Sequence, residues 1–562
     1  MEAMTMDRPG GDMTNDNDPN IGKIDQALRR WEEAKSQRLP YEADWRYIAR
    51  WCAPDKLAAG YKPEGSNLTH YLHDMSAVDA GERSAALLFG YLFGGREPFA
   101  VPRLQGRDKT SYAENVWLDT VRDTMHSVFR SGDVTFRAAM MQTVFDQIMF
   151  GTGNMWAGAG LGQLPQYKST PLWDFWVIFG DNGKPEMCFR RFRLSASAAF
   201  RKWQHPKLAK IATKSPGLRL TFLSAVWQRT GGRRGAPALN KPFLEYVIGL
   251  DDKIFLEESG YDYMPFAVGR FHTRPGDVYG IGSGHKAAPK AYWMNRLYAA
   301  TASGAEKSID PPVWDMSNGA FPDHDRRAGA VNMGTFEALG FSNIREVFQT
   351  LPPSGDLRAG EAMLNMAKND IREAFYIDWM MDRSGAGQRT ATEVLDQRDL
   401  RFKSLSGFTA DTENNLAGPI IDITFRKLEE YGAFPPMPES LRGDVLDFEF
   451  RSPLSAAMDQ GDVESIIRSL ELARNIGELD PSVIDNIDGD AMYRQGVGDY
   501  GMKRTLNRSP EDVDDIRQAR EEAAKAQEEA QAAGQAAAAL RDSAQGLASL
   551  ENAGLETAGA GQ

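Results

Sequence analysis

Y-G-I-G-S-G-H-K-A (Tyr279 to Ala287) sets three glycines in five residues before a histidine and a lysine, and it opens a stretch with helical pattern. Such a loop has two readings. It cradles a nucleotide phosphate, or it is a joint where a strand hands the chain to a helix. A Walker A loop requires G-x-x-x-x-G-K-[ST]. Aligned on Lys286, the chain has Gly280, but His285 stands at the second glycine and Ala287 at the Mg²⁺-binding hydroxyl. A dinucleotide fingerprint G-x-G-x-x-G fits Gly280 and Gly282 and fails again at His285. That motif also needs a following βαβ unit with an acidic residue, whereas here the helix runs into Pro311-Pro312. The failed templates favour the joint, with Gly280, Gly282 and Gly284 as the bend. The alternative is a nucleotide-dependent nucleic-acid enzyme using the Gly280–Lys286 loop.

The flanks of the loop differ in character. Before it, residues 219–272 read as a small β-rich unit interrupted by the basic loop G-G-R-R-G (Gly231 to Gly235). With the lysines between Lys207 and Lys214, that loop forms the best local positive patch, a type that meets phosphates, RNA or acidic partners. After it, Lys286 to Lys307 reads as one helix rich in alanine, which allows close helix–helix approach. Further upstream, Phe175 to Lys184 reads as a strand entering a hairpin turn at Asp181-Asn182-Gly183, and Arg191 to Trp203 as a return to helix.

Helical spacing dominates the rest. Ile24, Ala27, Leu28, Trp31 and Ala34 form one stripe. A second short helix follows Pro40, with Trp45, Ile48, Ala49 and Cys52 on one face, and stops at Ala53-Pro54. Asp79–Phe93, Asn115–Phe129 and Phe136–Phe150 are helical in pattern. So are Glu361 to about Arg383, Arg389–Tyr431 with breaks at Gly407 and Gly418-Pro419, and Met458–Ile476. Ser509 as N-cap, Pro510 at the first helical position and Asp512 at the third form a helix start. The Ala/Glu/Gln-rich run 513–540 has too polar a seam for a coiled coil, leaving a polar helix partly packed in an assembly or a frayed tail.

The 562 residues suggest three to four domain-sized units. A net charge of −13 argues against whole-surface adhesion to nucleic acid. Residues 1 to about 20 are polar and read as disordered. No signal peptide or membrane span is recognisable. Cys52 and Cys188 share no metal or disulfide spacing. His70, His73 and Asp74 make at most half a metal site, and D-H-D-R-R (Asp323 to Arg327) reads as a solvated loop. Asp251-Asp252 and Glu257-Glu258 read as exposed. No G-x-S-x-G is present. No cofactor is called for, and catalysis is not expected.

The order of these features resembles the head-to-tail connector, or portal, proteins of short-tailed bacteriophages. The resemblance spans about residues 24–520. It is carried by R-R-W-E-E-A-K-S-Q-R-L-P-Y-E-A-D-W-R-Y-I-A-R-W-C-A-P (Arg29 to Pro54), D-A-G-E-R-S-A-A-L-L-F-G-Y-L-F (Asp79 to Phe93), M-P-F-A-V-G-R-F followed by Y-G-I-G-S-G (Met264 to Gly284), D-P-P (Asp310 to Pro312), R-T-A-T-E-V (Arg389 to Val394) and N-R-S-P-E-D-V-D-D-I-R-Q-A-R (Asn507 to Arg520). The region 231–241 matches nothing in that pattern.

The resemblance implies an α+β, mainly helical portal fold with wing, stem, clip and crown, assembled as a dodecameric ring around a central channel. It assigns 1–23 to a disordered N-terminus, 24–190 to the wing, 191–204 and 281–307 to two stem helices, and 205–280 to the clip. Residues 308–405 would complete the wing, with a tunnel loop near 350–360. Residues 406–505 would be the crown, and 506–562 a barrel-like helix or disordered tail. Pro352, Ser354, Asp356 and Arg358 would belong to the tunnel loop. Arg233, Arg234 and Lys241 would meet the motor or adaptor, and Ala291, Ala299 and Ala302 would pack the stem. Implied partners are further copies of the chain, the terminase large subunit, a tail adaptor, major capsid and scaffolding proteins, and double-stranded DNA in the channel, with no membrane. The implied location is the portal vertex of the virion, after assembly in the host bacterial cytoplasm. Another virion structural protein, of the tail or internal core, is the remaining alternative. Tryptophan at Ala291 or Ala299 is expected to block ring assembly while leaving the monomer folded.

Overall fold

The computed structural model describes residues 20–57, 69–94, 98–105, 111–158, 163–229, 241–309, 313–315, 348–350, 357–381, 410–443, 446–451 and 510–558, with a few isolated positions besides. In chain order the elements are α1 (Ile21–Cys52), α2 (Ser76–Phe93), β1 (Ala100–Leu104), α3 (Tyr112–Arg130), α4 (Phe136–Phe150), β2 (Thr152–Gly158), β3 (Gln166–Ser169), β4 (Phe175–Phe179), β5 (Pro185–Ser195), α5 (Ala196–Trp203) and α6 (Pro206–Lys214). Then come β6 (Arg219–Gln228), β7 (Phe243–Gly249), β8 (Ile254–Tyr261), β9 (Phe266–Arg270), α7 (Ser283–Ile309), β10 (Val313–Asp315), β11 (Phe348–Thr350), α8 (Leu357–Ala374), α9 (Ile377–Met380), α10 (Gly418–Tyr431), β12 (Leu446–Phe450) and α11 (Pro510–Ala558). The mainly helical α+β class expected from sequence is the one observed.

The chain divides into two compact units. The larger holds α1, α2, α4 to α10 and the sheets. Its centre is an antiparallel meander in the order β4-β5-β6-β7-β8. Strict alternation along β6 sorts its side chains. Leu223, Ala225 and Trp227 face one way, joined by Trp176, Phe189, Leu244, Tyr246 and Ile248, and the first half of α1 covers them with Ile24, Ala27, Trp31 and Ala34. Leu220 and Phe222 face the other way, under Ala196 and Ala199 of α5 and Leu208 of α6. A period of two on the strand and a three–four spacing on the helix thus meet in one core. Trp31 lies edge-on to Trp176, with ring centroids 5.2 Å apart.

Several sequence expectations change here. Residues 21–23 belong to α1 rather than to a disordered tail. There is no second helix after Pro40; α1 runs unbroken through it. A proline in a helix interior costs about 3 kcal/mol, and anchoring on both sides overrides it. Arg38, only 5% exposed, gives Nη1 to the carbonyls of Leu172, Trp173 and Phe175 at 3.0–3.3 Å. Its Nε and Nη2 reach the Glu42 carboxylate at 3.0 and 2.6 Å. Beyond the proline, Trp45 is fully buried.

The helix expected over Arg191–Trp203 is a strand as far as Ser195, because Phe192 and Leu194 pair with Phe222 and Leu220; only Ala196–Trp203 is helical. The β-rich unit read over 219–272 belongs to a sheet that begins at Phe175. It also loses its last strand, since β9 pairs with β2 in a separate sheet ordered β3-β2-β9. The run expected from Glu361 to Arg383 starts at Leu357 and is interrupted at Tyr376, whose φ is +56°. The expected break at Gly418-Pro419 is instead a π-helical segment, Thr412–Ala417, that flows into α10. Pro419 lacks an N–H, and a wider helical turn carries the chain past it.

The Glu257-Glu258 pair is not exposed. Glu257 accepts from Trp203 Nε1 at 2.9 Å and Glu258 pairs with Lys23 at 2.6 Å. Asp251 and Asp252 lie exposed in the β7–β8 turn.

In the second unit, Ser111 and Glu114 form a reciprocal capping box at the start of α3, with bonds of 2.7 and 3.3 Å. Helix α11 starts at Pro510, as its capping signal predicts, and extends over 49 residues. It is exposed from Arg517 to Gln545, with Arg517 paired to Asp490 at 2.7 Å. Residues 1–19, Asp323–Arg327, Arg389–Val394 and Gly407 lie outside the described residues, as does Met458–Ile476 save Glu471 and Arg474.

Replacing Arg38 by methionine leaves three carbonyls without their donor in the interior and takes one of the two arginine partners of Glu42, Arg46 remaining at 2.9 Å. Removing one partner of a buried pair costs about 3–5 kcal/mol. The urea midpoint of Arg38→Met should fall accordingly, and Arg38→Met with Glu42→Leu should recover part of the loss.

Candidate functional site: the glycine joint and the helix it opens

Helix α4 ends at Gly151, which takes the left-handed conformation with φ +85° and bonds its N–H to the Gln147 carbonyl at 2.9 Å. Only glycine adopts that φ at little cost. The chain then enters β2, and β9 returns beside it. Phe271 N–H donates to the Gly151 carbonyl at 2.9 Å, and Ile281 N–H to the His272 carbonyl at 2.8 Å. This brings the glycine loop onto the end of α4.

The contact is backbone on backbone. A Cβ at Gly280 would lie 2.2 Å from the Gly151 oxygen; one at Gly282, 2.3 Å from the Ile148 oxygen; one at Gly284, 2.2 Å from the Met149 oxygen. All three glycines are therefore explained by close approach. Tyr279, at the head of the loop, is fully buried. Its ring meets Trp45 at 5.0 Å and Tyr41 at 5.3 Å, and its hydroxyl accepts from Val177 N–H at 3.3 Å. Burial pushes that phenol well above its usual pKa.

A phosphate cradle needs free amides, and those of Gly280, Ile281 and Gly282 are used. Gly280 N–H donates to Thr152 Oγ1 at 2.9 Å. Ile281 N–H is in the bridge described above. Gly282 N–H donates to His285 Nδ1 at 3.1 Å. His285 thus serves as a local cap, and burial lowers its pKa. Lys286, the supposed phosphate lysine, reaches the Tyr376 hydroxyl at 3.2 Å.

Helix α7 leaves this joint. Its first half is buried: Ala287, Ala288, Ala291, Met294 and Asn295. Asn295, a residue the sequence reading passed over, accepts from the amides of His73 and Asp74 at 2.7 and 3.0 Å and donates to the Ala291 carbonyl at 2.9 Å. His73 and Asp74 are thereby part of a tertiary clamp. Among the described residues, no group of three or more histidine, cysteine or acidic side chains could hold a metal. Cys52 and Cys188 are both buried as free thiols, and burial pushes Cys52 up to about 12.

Helix α8 runs antiparallel to α7. Lys290 Nζ reaches the Asp370 carbonyl at 3.1 Å, and Gly360 lies against Thr301.

The other sequence-predicted residues are not brought together. Arg358 is exposed near the start of α8, and Lys241 pairs with Asp262 at 2.7 Å. Pro352, Ser354, Asp356, Arg233 and Arg234 lie outside the described residues. Ala291 is buried within its own chain, Ala299 is half-buried and Ala302 is exposed.

A cleft of about 660 Å³ lies between the 180–186 turn and the π-helical segment. Asp181, Lys184, Glu186, Asp422 and Arg426 mix both charges around it, and its described lining contains no serine, cysteine or histidine.

A sequence model for the bacteriophage head to tail connecting protein family covers residues 24–506. The chain belongs to that family. It is similar to a probable portal protein of Bordetella phage BPP-1, 21% identical over 82% of this chain and 85% of that protein. It is also similar to the portal protein of Salmonella phage epsilon15, 20% identical over 92% of this chain and 94% of that protein.

Two glycine substitutions should act in opposite directions. Gly282→Ala forces a methyl into the Ile148 carbonyl and should destabilise by about 1–3 kcal/mol. Gly90→Ala, in α2 with open space around the added carbon, should stabilise by about 0.5–1 kcal/mol. Thermal melts of both variants check the pair. Titration with ATP should show no binding that depends on Lys286.

Proposed function

We propose that this protein is the portal subunit of a short-tailed bacteriophage. Copies of it form a ring, expected to be dodecameric, around a channel at one capsid vertex. Double-stranded DNA enters through that channel under the terminase large subunit and leaves through it on ejection. The tail attaches there through an adaptor, and the capsid and scaffolding proteins surround the ring. The chain is structural rather than catalytic, so ATP hydrolysis belongs to the partner motor.

The family match over nearly the whole chain supports this reading. The observation that carries it to particular residues lies on α7. The buried stripe Ala287, Ala288, Ala291 and Asn295 continues along the same face as Tyr298, Ala302, Ala305 and Ile309. There Tyr298 is 40% exposed, Ile309 is 85% exposed and Ala302 is exposed. In a heterologous ring, the same surface on every copy meets a different surface on the next. The distal half of α7, with small residues that permit close approach, is such a surface.

In region terms, α7 is the stem helix and the β4–β8 meander the clip, which therefore starts near Phe175. The 24–150 helices with α8 form the wing, α10 begins the crown, and α11 is the C-terminal extension. Net charge −13 suits a conduit, because every phosphate a channel neutralises adds affinity that would hold the DNA still.

Ala302 and Ala291 separate assembly from folding. Ala302→Trp should leave the melting temperature unchanged and shift the light-scattering mass from ring to monomer. Ala291→Trp, inside the core, should lower monomer stability by about 1–3 kcal/mol. Rings from Ala302→Trp would remove α7 from the interface. A wild-type chain that stays monomeric at all concentrations would overturn the portal reading.

A further inference from the structure

We propose that the face of the meander bearing α5 carries a docking site for an acidic protein segment, built from Lys168, Arg190 and Lys202 over Trp156, Phe192 and Trp203. The six residues come from β2, β3, β5 and α5 and form a chain of cation–ring contacts. Lys168 Nζ lies 5.6 Å from the Trp156 centroid, and the Arg190 guanidinium 5.8 Å from the same ring. Arg190 is also 5.0 Å from the Phe192 centroid. Phe192 and Trp203 stand 6.4 Å apart, and Lys202 Nζ is 4.6 Å from Trp203.

Among the described residues, no carboxylate is ion-paired with the two lysines of the cluster. Two carboxylates face it, and both are engaged by neutral donors. Glu245 accepts from Ser224, Ser259 and Tyr261 hydroxyls at 2.6, 2.8 and 2.8 Å, and Glu257 accepts from Trp203 Nε1. Glu245 also stabilises the charge on Arg190. Neither carboxylate is ion-paired with Lys168 or Lys202. Burial lowers the Lys168 pKa, and the like charges of Arg190 and Lys202 lower it further. Arg190 itself keeps a buried Nε–H with no hydrogen-bond partner. Two exposed lysines without carboxylates, with a rigid sheet beneath them, fit incoming carboxylates, which form charge-assisted bonds with such groups.

The aromatic neighbours favour a protein over a nucleic acid. Cations already lie over Trp156, Phe192 and Trp203, so these rings are not open to stacked bases, the usual source of single-strand affinity. Arginine with tryptophan is instead the composition of protein-interface hot spots. The remainder of this chain is net acidic, so the patch selects its partner by charge contrast. The site does not depend on the ring reading.

The test uses the full-length chain and three probes: an oligoglutamate peptide, a duplex DNA oligonucleotide and inorganic phosphate. The variant is Lys168→Glu with Lys202→Glu, both exposed, with a melting curve to confirm folding. Lys210→Glu on α6 controls for bulk charge. Oligoglutamate should bind the wild type, weaken with added salt, lose about tenfold or more in affinity in the double variant, and be unaffected by Lys210→Glu. No oligoglutamate binding, or equal binding by the double variant, would overturn the proposal. Tighter binding of duplex DNA or phosphate with the same lysine dependence would also overturn it and give the site to phosphates.

Discussion

The larger unit is organised by one contact between two stretches of main chain. The carbonyls at the end of α4 meet Gly280, Gly282 and Gly284 at a separation no side chain allows. Everything nearby is placed by that seam. It fixes β9 beside β2, sets Tyr279 among Tyr41 and Trp45, and aims α7 along the helices. Packing of this kind is unforgiving, since carbonyl oxygens cannot rotate out of the way as a side chain can. The resulting joint is stiff. Its glycines serve proximity, and only Gly151 among these four has a positive φ.

Much of this was legible in the chain. The helical pattern of Phe136–Phe150, the hairpin at Asp181-Asn182-Gly183, the capping signal at Pro510 and the failure of both phosphate templates at His285 all correspond to what the fold does. The misreadings share a physical cause, which is tertiary context overriding local signals. Pro40 looks like a helix boundary, yet Arg38 satisfies five contacts around it and the helix continues. Arg191–Ser195 has helical company, yet Phe192 and Leu194 are needed in a strand pair. Glu257 and Glu258 look like surface acids, yet Trp203 and Lys23 lie in wait across the sheet. At the candidate site, the glycines were recognisable as a joint. That Ala291 is covered by its own chain, and that Asn295 clamps the segment ahead of α2, was not, because a list of small residues does not say which face is already occupied.

The fold and the family reading support each other through charge and shape. An acidic chain offers DNA few anchors, and its cations are kept in local sets. Some are neutralised, as Arg38 is by Glu42 and Lys56 by the buried Asp146 at 2.9 Å. Others, Lys168 beside Trp156 and Lys202 beside Trp203, have no ion-paired acid among the described residues. A molecule that must let one polyanion slide while holding particular protein partners benefits from that division. Exposed apolar side chains include Tyr298 and Ile309 on the distal half of α7 and Met363 and Met366 of α8.

In the proposed ring, another copy of the chain completes the α7 face. Single-particle electron microscopy of the purified full-length protein tests it most directly. End-on views should show cyclic symmetry, a central opening wide enough for duplex DNA, and α7 density at each subunit boundary. Particles of one chain, or a closed oligomer with α7 facing solvent, would contradict it.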